Sequence, residues 1–271
     1  MENKTDNAVE VKDLRFSYGG GDVLNGLSLD IEKGCFMSIV GPNGSGKSTL
    51  LKCLNNILSY KSGSISIMGR ELKKMKRGEI AKKIAYVPQS TKRAFPTTVF
   101  ETVLMGRRPY AGWTSKKADE DIAWEMLREL RLEELAMCSF DQLSGGQQQK
   151  VLIARALAQN TDIILLDEPT SDLDIWHQLD VMENVRALVD RKKVTAVMVV
   201  HDLNLASKYS DTMTILKDGL VKVSGSPEDV LNPGNIADTY GVESHVYSHG
   251  GMVCVMPVKQ ICPCKNKKKG Q

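Results

Sequence analysis

The chain has 271 residues, 42% of them hydrophobic and 25% charged, an ordinary balance for a globular protein with a full core. The formal net charge of +3 is too small to argue for a nucleic-acid partner. No apolar run approaches the length of a membrane span, and the opening MENKTDNAVEVKD is too polar for a secretory leader, so a cytoplasmic protein is expected. The positive excess sits in residues 259–271, which hold five lysines and no acid. Such a run is usually a solvated tail; contact with an anionic membrane surface is the sharper alternative. Six scattered cysteines suit reduced thiols, while Cys262 and Cys264, in a C-P-C near Cys254, leave a metal or a disulfide open.

In chain order, residues 8–18 and 23–31 alternate apolar and polar side chains, as antiparallel strands with one wet face do. Residues 35–40, CFMSIV, form a continuous apolar run ending at Gly41, and residues 48–58 have helical spacing. That stretch reads as buried strand, glycine-rich loop, helix. From residue 90 to about 159 strand signals nearly vanish. Within 117–136 the apolar positions Ile122, Met126, Leu127, Leu130 and Leu135 share a helical face. Two fully apolar runs follow, 163–167 and 195–201, separated by a helix-like segment at 175–190. Residues 213–225 read as a hairpin turning at Asp218 and Gly219. Ser226 and Pro227 open a capped helix, and residues 252–258 suit one more strand. The pattern is α/β: a parallel core, an N-terminal antiparallel β subdomain and an α-helical insertion.

GPNGSGKST, residues 41–49, fits the phosphate-loop pattern between a buried strand and a helix. Its glycines let Gly41, Pro42, Asn43, Gly44, Ser45 and Gly46 curl around an anion, and the helix start adds positive potential. Lys47 would reach β and γ phosphates, the Ser48 hydroxyl would hold Mg²⁺, and Thr49 would lie near the α phosphate. The apolar run at 163–167 ends in Asp167, with Glu168 next, at the strand edge where α/β proteins bind ligands. Asp167 is expected to hold Mg²⁺ and Glu168 to polarise an attacking water. His201, ending the next strand, can donate to a γ-phosphate oxygen, and the Gln89 amide can touch Mg²⁺ or the water. LSGGQ, residues 143–147, looks like a second phosphate-binding turn, with no lysine or acid of its own.

These motifs, in this order and spacing, resemble the ATP-binding subunits of ABC transporters over nearly the whole chain: the phosphate loop, Gln89, LSGGQ, IILLDEP at 163–169, SDLD at 171–174 and His201. The resemblance implies a P-loop NTPase of ABC type. Its ATPase domain would span 1–225, with a RecA-like core at about 1–89 and 158–225 and a helical subdomain at about 90–157, then an extension at 226–271. It places Tyr18 where that family stacks an aromatic ring on adenine. It also implies a head-to-tail homodimer, in which Ser144, Gly145, Gly146 and Gln147 of one copy cover the γ-phosphate held by the other. Asp172 departs from the family's usual alanine, and Lys150 lies where arginines are frequent.

Within the family, residues 96–110, 170–182 and 199–211 look like the importer ATPases for iron–siderophore, haem and cobalamin. The implied activity is ATP hydrolysis coupled to transport at the cytoplasmic face of the membrane. A permease would dock on the region of about 90–113, an extracytoplasmic substrate-binding protein would be linked indirectly, and no nucleic acid would take part. Phe95, Phe100, Val103, Leu104, Tyr110 and Trp113 would offer the apolar patch and Arg107 and Arg108 its charge; core packing is the other reading for Val103 and Leu104. A zinc, manganese or phosphate importer, an exporter, and an Fe–S assembly factor remain alternatives.

Overall fold

A computed structural model describes residues 6–89, 97–110, 116–171 and 173–261. β1 (Asn7–Ser17) and β2 (Asp22–Glu32) pair antiparallel, as their alternation requires. β3 (Phe36–Val40) is buried at all five positions and runs into the glycine loop, which opens α1 (Lys47–Leu54). β4 (Ser62–Ile67) then adds to the other edge of β1, and β5 (Arg70–Glu71) to β4, giving the sheet order β2-β1-β4-β5. β4 gives little sign of itself in the sequence, because SGSISI carries glycine and serine where strand-forming side chains are the usual signal. α2 (Arg77–Ala81) and β6 (Ile84–Val87) complete this half.

The expected insertion is a helical cluster in which α3 (Val99–Leu104), α4 (Lys117–Glu129) and α5 (Gly145–Ala158) pack on one another. Met126, Leu127 and Leu130 are buried, with Ile122 and Leu135 packed at the margin. The chain returns to strand at β7 (Ile163–Asp167), followed by α6 (Ile175–Lys192), β8 (Thr195–Val199), α7 (Leu203–Tyr209), β9 (Thr212–Lys217) and β10 (Leu220–Gly225). The β9–β10 turn falls at Asp218 and Gly219, both with positive φ (50° and 74°), the geometry of a tight hairpin. The second sheet has the order β10-β9-β3-β8-β7-β6, with β9, β3, β8, β7 and β6 parallel.

Ser226 caps α8 (Pro227–Val230), with Pro227 at its first position, as expected. α9 (Pro233–Tyr240), β11 (Val242–His249) and β12 (Met252–Gln260) form the extension; of the two strands, only β12 carries a strand signal in the sequence. The Asn204 side chain on α7 holds the hairpin by bonding both the carbonyl (3.3 Å) and the amide (2.7 Å) of Val255.

Two cores result. One fills the space between the antiparallel sheet, α1 and one face of the parallel sheet. The other joins the opposite face to α6, α7 and the helical insertion. Strand alternation assigns Ile163, Leu165, Val197 and Val199 to the first and Ile164, Leu166, Ala196 and Met198 to the second.

The patch expected to meet a permease needs correction. Val103 is fully buried, and Phe100 packs on Trp124 with ring centroids 5.0 Å apart. Arg107 is buried as well, bonded to Asp119 (2.9 Å) and to the Ala158 carbonyl (2.8 Å). A buried guanidinium is retained only with partners, and these hold the insertion together. Met105, Arg108 and Tyr110 stay exposed. Phe95, Trp113, Asp172, Cys262, Cys264 and the lysines from Lys265 onward lie outside the described residues. Cys254 is a buried free thiol. No helix among the described residues is long and apolar enough to cross a membrane.

Ile39, on the central strand β3, is fully buried. Ile39→Ala is expected to cost about 2–5 kcal/mol. Chemical denaturation, read as a lower midpoint at constant slope, checks this, and a loss well under about 1 kcal/mol would contradict the placement of β3 at the centre.

Candidate active site

The phosphate loop is held by close packing on both sides. A Cβ on Gly46, whose φ is +100°, would come within 2.8 Å of the Leu24 side chain and 3.1 Å of the Val23 carbonyl. The Gly219 amide bonds the Ser45 carbonyl (3.2 Å), so the β9–β10 turn braces the loop from outside. Lys47, almost fully buried, donates to the carbonyls of Gly41 and Pro42, each at 2.9 Å. Burial pulls its ammonium below the usual lysine range, while Glu168 and Asp167 pull it back up. The Ser45 hydroxyl is buried with no hydrogen-bond partner among the described residues. An orphaned donor beside a buried ammonium, in a loop of this shape, suits a phosphate chain.

The loop faces a cavity of about 310 Å³ lined by Tyr18, Val23, Asn43, Gly44, Gly46, Lys47, Ser48, Thr49 and Glu168. Tyr18 is 63% exposed at its rim; its hydroxyl lies 3.3 Å from the Thr49 hydroxyl, and its ring meets Phe16 edge-on. An exposed aromatic face at the mouth of a phosphate cavity can take a base.

Asp167 ends β7 and Glu168 follows it, and the two acids meet different partners. Asp167 is buried, and its Oδ1 accepts from the Ser48 hydroxyl at 2.7 Å. These hard oxygen donors, the pair expected to hold Mg²⁺, therefore stand together and fit such a cation. Glu168 is left-handed, with φ 50°, uncommon for a side chain without glycine's freedom. The bend turns its carboxylate away from Asp167. Oε1 lies 2.7 Å from His201 Nε2, and Oε2 accepts from Gln89 Nε2 at 2.7 Å. Gln89 follows β6, Glu168 follows β7 and His201 follows β8, three neighbouring strands. The strand order expected from the sequence sets His201 beside Asp167; its contact is with the next residue.

Tyr86 escapes the sequence reading. Its hydroxyl donates to Asp167 Oδ2 at 3.0 Å. Burial first, and then the charge of Asp167, push the phenol well above its usual value, which keeps it a donor.

Residues 144–147 do not line this cavity. Ser144 caps α5, with its hydroxyl accepting from the Gln147 amide (3.3 Å) and its own amide donating to Gln147 Oε1 (3.0 Å). A Cβ on Gly146 would collide with the His177 ring, whose Nδ1 lies 2.8 Å from Asp174 Oδ1. Lys150 pairs with Asp180 at 2.7 Å. The turn is exposed at Ser144 and Gly145 and preorganised, yet it stands apart from the residues that line the phosphate-loop cavity.

Comparison with known proteins identifies the family. The ABC transporter family profile matches residues 24–171. An ATP-binding protein of an ABC transporter from Methanocaldococcus jannaschii, itself uncharacterised, is 42% identical over 92% of this chain and 98% of its own length. A probable siderophore transport ATP-binding protein of Bacillus subtilis is 37% identical over 89% of this chain and 88% of its own. A hemin import ATP-binding protein of Thermobifida fusca is 37% identical over 91% and 87%. Among solved structures, a metal-chelate type ABC transporter in an inward-facing conformation superposes with a TM-score of 0.82 at 30% identity, covering 94% of this chain and 98% of that one. A dimeric ATP-binding cassette bound to ADP and phosphate superposes with a TM-score of 0.72 at 34% identity, covering 81% and 98%. With its phosphate loop, paired acids and separate LSGGQ turn, the chain belongs to the ATP-binding subunits of ABC transporters.

Proposed function

We propose that this chain is the ATP-hydrolysing subunit of an importer for iron–siderophore, haem or cobalamin-type chelates, working as a head-to-tail dimer beneath a permease. The observation that carries it is Glu168 gripped by Gln89 and His201, since this is a base held in readiness at a phosphate cavity. The cargo class rests on relatives named for siderophore and hemin import and on the metal-chelate transporter fold.

Tyr18 stacks on adenine, residues 41–46 wrap the phosphates, Lys47 turns from the loop carbonyls to the β and γ phosphates, and Thr49 meets the α phosphate. Ser48 and Asp167, with Gln89 at the edge, would hold Mg²⁺, which supplies charge neutralisation on the phosphate oxygens. His201 leaves Glu168 to donate to the γ-phosphate. Glu168 then takes a proton from water as the water oxygen bonds to γ-phosphorus and the bond to the bridging oxygen breaks, leaving ADP and phosphate. Ser144, Gly145, Gly146 and Gln147 of the second copy close over the γ-phosphate. The two surfaces are self-complementary, so one twofold axis completes two sites.

The catalytic unit is taken as residues 1–225, with core at about 1–89 and 158–225 and insertion at about 90–157; residues 226–271 are its extension. The permease docks on the region of about 90–113, through Met105, Arg108 and Tyr110 among the described residues. That places the protein on the cytoplasmic face of the membrane, linked through the permease to an extracytoplasmic binding protein.

Glu168→Gln is expected to keep ATP binding, lower turnover by about 10²–10⁴-fold and accumulate dimer on gel filtration. Turnover at the parental rate would remove Glu168 from its role. Lys47→Ala should weaken ATP binding by roughly ten- to a hundredfold in calorimetry. Unchanged affinity would contradict the cradle. Mixing Ser144→Arg and Lys47→Ala chains, each inactive alone, should restore one composite site and partial hydrolysis; no recovery in a demonstrated heterodimer argues for a site within one chain. Uptake by a deletion strain, compared across iron–siderophore, haem and cobalamin, selects the cargo, and uptake of none of them overturns the chelate assignment.

A further inference from the structure

Parallel pairing aligns Tyr86 of β6 with Leu165 of β7. Asp167 lies two residues beyond Leu165, so strand alternation brings Tyr86 and Asp167 to the same face, the one that carries α1. There the carboxylate is held from two sides. Ser48, in the first turn of α1, donates to Oδ1 at 2.7 Å, and Tyr86 donates to Oδ2 at 3.0 Å. The two donors differ in access. Ser48 lines the phosphate cavity, whereas Tyr86 does not line it and packs its ring against the core beneath. A cation arriving from the cavity would meet Ser48 and Oδ1 and leave the Tyr86 bond in place.

We infer that Tyr86 is a positioning residue for cation binding: its hydroxyl fixes the rotation of the Asp167 carboxylate so that Oδ1 faces Ser48. This deepens the proposed function and rests on its assignment of Asp167 to Mg²⁺. A ligating carboxylate without such an outer partner can rotate, and must lose that freedom each time a cation binds. Removing outer partners of this kind typically costs ten- to a hundredfold in metal affinity, so about tenfold or more is the expected effect. Nucleotide contacts made by Lys47 and the loop backbone do not pass through Tyr86.

The test is Tyr86→Phe, which deletes one oxygen and keeps the ring. ATP affinity is measured by calorimetry with the metal chelated and again across a Mg²⁺ titration, and hydrolysis is followed over the same titration. The expected result is metal-free ATP affinity within about twofold of the parent. The Mg²⁺ concentration giving half of the metal-dependent gain in affinity should rise about tenfold or more, with hydrolysis restored by excess Mg²⁺. An unshifted Mg²⁺ dependence overturns the inference, and so does an equal loss of affinity with and without metal, which would mark Tyr86 as packing alone. Asp167→Asn separates the two readings. If it shifts the Mg²⁺ dependence and Tyr86→Phe does not, Asp167 keeps its role and Tyr86 is no positioning residue. If Asp167→Asn shifts nothing, the assignment of Asp167 falls first.

Discussion

The site depends on how charge is buried where the parallel strands end. Lys47, Asp167 and Glu168 lie together at the top of α1 and β7, mostly out of water. Unpaired, each would be costly to bury. The chain meets this by dividing the partners. Asp167 receives hydroxyl donors from α1 and β6, Glu168 receives nitrogen donors from beyond β6 and β8, and Lys47 is solvated by two loop carbonyls. The division needs adjacent acids to face different ways, which an extended strand end does not by itself provide at the required angle. The left-handed bend at Glu168 provides it, at a cost of about 1–2 kcal/mol. Ser171 helps hold the bend, bonding the Glu168 carbonyl with its amide (3.1 Å) and its hydroxyl (2.9 Å).

What the sequence made legible was local. The phosphate loop announces itself because its glycines, lysine and flanking strand and helix are contiguous. Apolar runs placed β3, β7 and β8, and helical spacing placed α4. Interactions set by register and by long separations were not legible. Tyr86 and Asp167 are 81 residues apart, and their contact follows only once β6 is known to pair with β7 in that register. The motif YVPQ pointed to its glutamine and hid its tyrosine. Arg107 sits in a stretch whose charge suggested surface, yet its partners are 12 and 51 residues away. His177 became visible beside Gly146 only because two helix N-termini converge. β4 and β11 lacked the apolar runs that betray buried strands, since each is half exposed.

The two glycine turns illustrate how one local device serves two ends. At Gly46 the backbone must adopt positive φ and pass close to Val23 and Leu24, which builds a rigid concave loop with an inward lysine. At Gly146 the need is proximity alone: φ is not in the left-handed region, and the missing side chain lets His177 lie against the start of α5. The first turn brings a cation and acids to a ligand. The second brings only helix-end donors and a capping serine, already satisfied by Gln147. Such a turn binds phosphate weakly by itself, because it lacks compensating charge, and adds most where a phosphate is already held by something else. On the proposed head-to-tail dimer, a composite site between two copies would exploit that asymmetry.

The grip on Glu168 also bears on coupling. With Oε1 against His201 and Oε2 against Gln89, each oxygen of the carboxylate already accepts one hydrogen bond from a protein side chain. On the proposed roles, His201 lets go before hydrolysis and leaves Oε1 to the attacking water. His201 has a reason to leave only when a γ-phosphate offers a better acceptor. Gln89 would have a different one on the proposed docking, because in the sequence it stands directly before the segment assigned to permease contact. On the proposed roles, the base would be freed by two inputs, nucleotide from one side and the permease from the other, acting on opposite oxygens of one carboxylate. On that reading, a strained residue holding two bonds would act as a small bistable element, biased by inputs that each change a partner's alternatives and leave the acid itself untouched.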